Sequence, residues 1–285
     1  MTQCSKATGE PMGQVVRGSV SLVLLGAALL SISALLSGCT SAGPDTGASL
    51  VEPLTESDEP EIRKRARIRA SLATGYFERG QDTVALDEIK QALSADGGYG
   101  PAYVLRGLIY MRLNNDPLAE SSFRRALQIN PNDPDALHNY GWFVCGHKRE
   151  KEALGLFEKA VANPAYGGRA KTLMAKGVCE MRLGLDQAAE DSFTRAYQFD
   201  PNNPITAYNL AALLLKRGEY EHAQRYVRRL NGTELANAET LWLGIKIERR
   251  MNNQTVADQL AQQLQKRFPD SAELASFRRG AFNDQ

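Results

Sequence analysis

Between Gly100 and Pro131 the apolar and small residues fall into two helical runs joined by a short polar turn. Tyr103, Gly107 and Tyr110 belong to the first run; Ala119, Phe123 and Ala126 belong to the second, and Pro131 ends it. The spacing predicts a helix-turn-helix hairpin. Gly107 and Ala119 are small enough for the two helices to approach closely, while Tyr110 and Phe123 fill the space beside them. The same pattern recurs along the chain. Ala73, Tyr76, Ala85, Ile89 and Ala92 make an earlier copy; Gly141, Ala153, Phe157 and Ala160, with Pro164 nearby, make a later one. Gly177, Ala189, Phe193, Ala196 and Pro201 give a fourth. A fifth (Ala211, Leu214, Ala223, Val227) is weaker, and a sixth, around Gly244 and Leu260 and ending at Pro269, is degenerate in its second helix. Asn130-Pro131, Asn163-Pro164 and Asp200-Pro201 punctuate the repeat ends. Gly184 and Gly218 are expected as C-caps between paired helices, and Ser271–Gly280 as a terminal capping helix with a polar outer face.

One such hairpin cannot bury its own apolar face, so the units must stack. The run from Gly100 to Pro131 resembles the 34-residue tetratricopeptide repeat, whose signature is W-x2-L-G-x2-Y, then A-x3-F, then P. It departs from that pattern at Arg106, where Leu is expected. The resemblance implies an all-α fold: a right-handed superhelical solenoid of about six tetratricopeptide repeats, spanning residues 58–285 with its capping helix. Helical pattern begins near Asp58, where Asp58 and Glu61 are spaced to cap an N-terminus. The basic run that follows, Arg63, Lys64, Arg65, Arg67 and Arg69, reads first as a solvated face with Glu59–Arg63 and Glu61–Arg65 pairs at i,i+4. A surface for anionic lipid or an acidic partner is the alternative.

The stretch before the repeats has a different character. No charge occurs from Gly18 to Pro44, and Val20–Leu36 is almost wholly apolar, with Arg17 just before it. Leu36-Ser37-Gly38-Cys39 resembles the bacterial lipobox, at which a diacylglycerol is attached to the Cys sulfur and the chain is cut before the Cys. Residues 1–38 are therefore expected to be a lipoprotein signal peptide, with translation starting at Met12. A plain transmembrane anchor is the competing reading, since a run of this length can just span a bilayer. Cys39 would carry the acyl chains. Thr40 follows it where the inner-membrane retention signal has Asp, which implies the periplasmic face of the outer membrane. The remainder of residues 39–57, rich in Gly, Pro, Ser and Thr, is a linker of roughly 23 Å if it behaves as a flexible coil.

Composition adds exclusions: 43% of residues are hydrophobic, 24% charged and 7% aromatic. Once Lys6, Arg17 and Glu10 are set aside the remaining charges balance, which argues against nucleic acid as a partner. Cys145 and Cys179 stand 34 residues apart, late in the first helices of consecutive repeats. They are placed either to form a disulfide in an oxidising periplasm or to pack as two buried free thiols. No metal ligand set accompanies them. His138, His147 and His222 lack an acid or nucleophile at a recognisable spacing. There is no P-loop, dinucleotide fingerprint or nucleophile elbow, so neither an enzyme nor a cofactor is expected.

In tetratricopeptide arrays the first helices line a concave surface with the second, fifth, ninth and twelfth residues of each repeat. Those places hold Phe77 in the first repeat and Val104, Leu108 and Met111 in the second. They hold His138 and Trp142 in the third, Met174, Val178 and Met181 in the fourth, and Tyr208 and Leu215 in the fifth. A largely apolar groove suited to a partner helix or strand is expected, although each of these residues could instead complete the core. Lipobox, linker and repeats together resemble the type IV pilus biogenesis/stability lipoprotein family PilW/PilF. The run Asn139-Tyr140-Gly141-Trp142-Phe143-Val144-Cys145 is similar to that family's third-repeat motif, with Cys179 one repeat later. The resemblance implies a pilotin, delivered by the lipoprotein sorting machinery, that binds the type IV pilus secretin subunit and helps it reach the outer membrane and multimerise. A generic lipoprotein scaffold in outer-membrane or cell-wall complexes is the alternative.

Overall fold

The computed structural model describes residues 58–282, so the expected signal peptide, Cys39 and the linker lie outside the described residues. Among the described residues there are thirteen α-helices and no strand. Six hairpins come first: α1 (Glu61–Glu78) with α2 (Asp82–Ala95), α3 (Gly100–Arg112) with α4 (Asp116–Ile129), and α5 (Pro134–Gly146) with α6 (Glu150–Val161). Then come α7 (Arg169–Arg182) with α8 (Asp186–Phe199), α9 (Pro204–Arg217) with α10 (Tyr220–Asn231), and α11 (Ala238–Arg250) with α12 (Gln254–Arg267); α13 (Ala272–Arg278) follows. Each first helix packs on its own second helix, and α1 also meets α3, α3 meets α5, α5 meets α7 and α9 meets α11. The chain is the tetratricopeptide solenoid that its period predicts.

The small-against-large pairs set the approach within each hairpin. A Cβ placed on Gly107 would come within 2.5 Å of the Phe123 ring, one on Gly141 within 2.7 Å of Phe157, and one on Gly177 within 2.8 Å of Phe193. All three phenylalanines are fully buried. Each removes enough apolar surface from water to contribute about 2–3 kcal/mol.

The joints repeat as faithfully as the helices. At every hairpin turn one residue adopts left-handed backbone: Gly80, Asn114, Lys148, Gly184, Gly218 and Asn252, with φ between 55° and 87°. The next residue's N–H then reaches back to close the turn on the carbonyls of Tyr76, Tyr110, Val144, Glu180, Leu214 and Glu248 in order. Only Gly takes this conformation without a Cβ clash, so Asn and Lys at three of the six places cost local energy. Between hairpins, Asp96, Asn130, Asn163 and Asp200 each accept from the backbone N–H two residues on, at 2.8–3.1 Å. Asp133 and Asn203 then cap α5 and α9 just before Pro134 and Pro204. The third repeat is two residues longer than its neighbours, and the surplus is anchored by Tyr166. That ring is buried against Leu137 and Ala160, with its hydroxyl donating to Asp135 at 3.1 Å.

The first helix differs from expectation. It starts at Glu61 with Pro60 in the cap position and no side-chain cap bond. Its arginines reach outside their own helical turn: Arg63 pairs with Asp96 and Arg69 with Glu88, while Arg67 pairs with Glu59. The stacked α2 hairpin and the following turn supply acids that a single-helix reading cannot see. At the other end Ser271 caps α13, Leu274 is buried, and Phe277 and Phe282 pack on the Trp242 ring at 6.3 and 5.3 Å. The exposed residues of α13 are Ala272, Ala275 and Arg278, so it closes the last core cluster with an outer face of small residues and one cation rather than the polar face expected.

A candidate protein-binding groove

The first helices carry all eleven residues assigned to the groove, at different depths. Trp142 is the most open, 40% exposed on α5. Leu108 and Met111 are half-buried beside the central core cluster, which holds Val104 itself; at 8% exposure Val104 belongs to the core rather than to an open surface. Met174, Val178, Met181, Tyr208 and Leu215 are half-buried against a second cluster, formed by α8 to α11. Phe77 packs on a third cluster, formed by α1 to α3, and Arg112 covers its ring, 3.6 Å from the centroid, while donating to its carbonyl at 2.6 Å.

His138 is held within the wall of the groove. Its Nδ1 lies 2.9 Å from the Thr172 hydroxyl and its ring rests 6.1 Å from that of Phe157. Burial, with Lys171 nearby, pushes its pKa down from 6.5 to about 4, against a smaller opposing pull from Asp135. A group that binds its proton more weakly when folded leaves stability intact above its unfolded pKa and removes it as pH falls towards the folded value. Lowering the pH from 6.5 to 4.5 is therefore expected to cost up to about 2–3 kcal/mol. Urea midpoints across this window should fall for the wild type and fall less for His138→Gln.

Cys145 and Cys179 are joined as a disulfide between α5 and α7, with Cα atoms 6.1 Å apart. Both residues are fully buried, and Arg182 donates to the Cys145 carbonyl at 2.9 Å. Cys145 occupies the place that Met111, Met181 and Leu215 hold in other repeats, so the bond takes one groove position out of the surface.

Polar groups that sequence reasoning passed over stiffen the array. Arg106, the departure from the repeat pattern, donates at 2.9 Å to Ser122, which is fully buried on α4. At the place held by Tyr110 in the second repeat, the fourth and sixth repeats bury a glutamate. Glu180 accepts from Lys176 and Ser192, both at 2.6 Å; Glu248 accepts from Gln224, Arg228 and Asn253 at 2.8–2.9 Å. Glu120 binds three elements together, accepting from Arg124, Tyr140 and Arg149. Burial opposes its ionisation, but those hydrogen bonds outweigh it and hold the pKa at about 2. Two histidines do have acids beside them: His147 lies 2.8 Å from Asp116, brought in from the preceding hairpin, and His222 lies 3.1 Å from Glu219, three residues before it, a pairing that its sequence spacing already offered. Among the described residues no cluster of three or more His, Cys, Asp or Glu could hold a metal, and no helix is long and apolar enough to cross a membrane.

Models of the tetratricopeptide repeat match residues 100–133 and 148–204. The type IV pilus assembly protein PilF of Pseudomonas aeruginosa is 26% identical over 252 residues, which is 88% of this chain and 97% of that protein. Its solved structure superposes with a TM-score of 0.73 at 24% identity, covering 78% of this chain and 100% of that one. The crystal structure of PilW, a widely conserved type IV pilus biogenesis factor, gives a TM-score of 0.68 at 31% identity, over 77% of this chain and 99% of that one.

Proposed function

We propose, from the premise that the chain belongs to the PilW/PilF family of tetratricopeptide proteins of type IV pilus biogenesis, that it acts as a pilotin. In this reading it is an outer-membrane lipoprotein that binds the type IV pilus secretin subunit and promotes its localisation and multimerisation. The observation that carries the proposal is the 31% identity with PilW across almost the whole of that chain. A role in pilus biogenesis on a repeat scaffold follows from it; the secretin, the lipid and the membrane are the further steps.

The chemistry of each step is assigned to a different part of the chain. Acyl chains on Cys39 supply membrane attachment, and two or more are needed for a stable anchor. The lipoprotein sorting machinery supplies transport to the outer membrane. The first-helix face supplies recognition: side chains held rigidly by the repeats, with Met111, Met174 and Met181 able to repack against a partner and Trp142 offering a large exposed ring. A secretin subunit held there travels with the lipoprotein.

The test compares intact secretin multimers in outer-membrane fractions from wild type, a deletion strain, Cys39→Ala and Trp142→Glu. Multimers should disappear in the deletion and be lost or mislocalised in Cys39→Ala. Trp142→Glu leaves the buried packing intact and should weaken secretin binding by about 2 kcal/mol, roughly thirtyfold in affinity. Unchanged multimers in all three mutant strains would point instead to a scaffold for other envelope proteins.

A further inference from the structure

Both tryptophans of the chain stand on the first-helix face, and they differ in what lies over them. Trp142 is 40% exposed, whereas Trp242 is 9% exposed. Trp242 and Arg249 of α11 come one 34-residue period after Tyr208 and Leu215 of α9, so they hold groove positions in the sixth repeat. Their cover is supplied by the chain itself. Phe277, on α13, meets the Trp242 ring edge-on at 6.3 Å, and Phe282, beyond α13, lies against the same ring at 5.3 Å. The Arg249 guanidinium rests 3.8 Å from the Phe282 centroid. Phe282 therefore bridges two groove positions, as an aromatic side chain of a bound segment would.

The strap that carries this ring, Gly280–Phe282, is anchored on one side only. Gly280 adopts left-handed backbone, φ 70°, and turns the chain back after α13. Its N–H donates to the Phe277 carbonyl and that of Ala281 to the Ser276 carbonyl, both at 3.0 Å, while the Phe282 N–H donates to the Gly280 carbonyl at 2.9 Å. Among the described residues none of the strap's backbone hydrogen bonds runs to α11, so the ring makes the contact with the groove face. The same ring lines a cavity of about 410 Å³ whose walls include Met181, Tyr208, Leu215 and Leu243. Phe282 stands between that cavity and Trp242, and so closes the apolar surface of the fourth and fifth repeats at its boundary with the sixth.

We propose that Phe282 is a resident occupant of the groove: it fills, in cis, a site on Trp242 and Arg249 that accepts an aromatic side chain of a partner segment, and such a segment enters by displacing it. This rests on the first-helix face being a protein-binding surface, and adds where along it an aromatic side chain is selected and how that place is covered beforehand. An incoming ring replaces the ring–ring and cation–π contacts of Phe282 one for one, so the exchange is decided by concentration. A strap this short holds Phe282 at an effective concentration in the millimolar range, which excludes weak or scarce competitors.

The test uses full-length protein in detergent with Trp142→Phe, which leaves Trp242 as the one reporting tryptophan. Its emission and acrylamide quenching are followed while the peptide RRGAF-amide, the sequence of Arg278–Phe282, is added to millimolar concentrations. Phe282→Ala should expose Trp242 to acrylamide and bind the peptide about tenfold more tightly than the protein that keeps Phe282. The latter should still bind it, by exchange. RRGAS-amide should bind neither. Adding Arg249→Ser, an exposed position, to Phe282→Ala should weaken the peptide about threefold, with unchanged helical circular dichroism. Equal affinity with and without Phe282, or no binding by either, would overturn the inference. So would a protein with Phe282 that stays closed at millimolar peptide while Phe282→Ala binds, because the ring would then be fixed core. Secretin multimers separate the two readings. If Trp142→Glu removes them and the peptide does not distinguish Phe282→Ala from its parent, the groove reading stands and this one fails.

Discussion

Truncating Phe157 to alanine is expected to cost about 3–5 kcal/mol, the largest single-residue effect anticipated in the array. The ring is completely buried between α5 and α6, it faces Gly141 so closely that a methyl group there would overlap it, and it carries one side of His138. Neighbouring helices cannot collapse into the space, because the disulfide and the hydrogen bonds of Glu120 hold α5 to α7 and to α4. Urea unfolding followed by circular dichroism would measure the loss. A double-mutant cycle gives the sharper result. Gly141→Ala alone gains about 1 kcal/mol of helix propensity but drives a Cβ into the ring, while Phe157→Leu alone leaves a void. Together they should be less destabilising than the sum of the two singles by about 1 kcal/mol or more. Strict additivity would mean that the glycine and the ring are not packed as described.

The second large effect concerns the bond between Cys145 and Cys179. Closing a loop of 34 residues restricts the unfolded chain by an amount worth about 3–4 kcal/mol in the chain-entropy description. Cys145→Ala/Cys179→Ala should therefore unfold at clearly lower urea than the wild type, and wild type equilibrated with reductant should shift towards it. Both sulfurs belong to fully buried residues, so the reductant acts only on opened molecules and equilibration will be slow. A wild-type midpoint that is the same with and without reductant, after full equilibration, would show that the bond contributes nothing.

Much of this architecture was legible because the repeat signal is local. Gly107, Gly141 and Gly177 announce close helix approach by their identity, and Phe123, Phe157 and Phe193 sit sixteen residues after each of them. What escaped was what depends on partners from other elements. Arg106 looks like a flaw in the consensus until Ser122 is found beneath it. Glu180 and Glu248 look like surface charges on a helix until Lys176 with Ser192, and Gln224 with Arg228, close over them. The arginines of α1 were matched to acids one turn away when the acids they reach come from α2 and the next turn. Three of the six left-handed turn residues, Gly80, Gly184 and Gly218, could be picked out by composition, though only the last two were expected as caps; Asn114, Lys148 and Asn252 could not, because only stacking forces them into that conformation. For the groove, the period located the residues but not their depth, which is why Val104 and Trp142 occupied equivalent rank on the page and opposite environments in the fold.

The recurrence of the same two joints has a consequence for how such a chain can change length. A unit bounded at both ends by the same side-chain-locked turn, and bent in the middle by the same left-handed residue, can be duplicated or excised with the flanking units meeting in register. The third and fourth units are the exception. Their covalent link, the two surplus residues and the Tyr166 anchor make them one indivisible block, so gain or loss of modules in this lineage should occur on either side of that pair and not between its members.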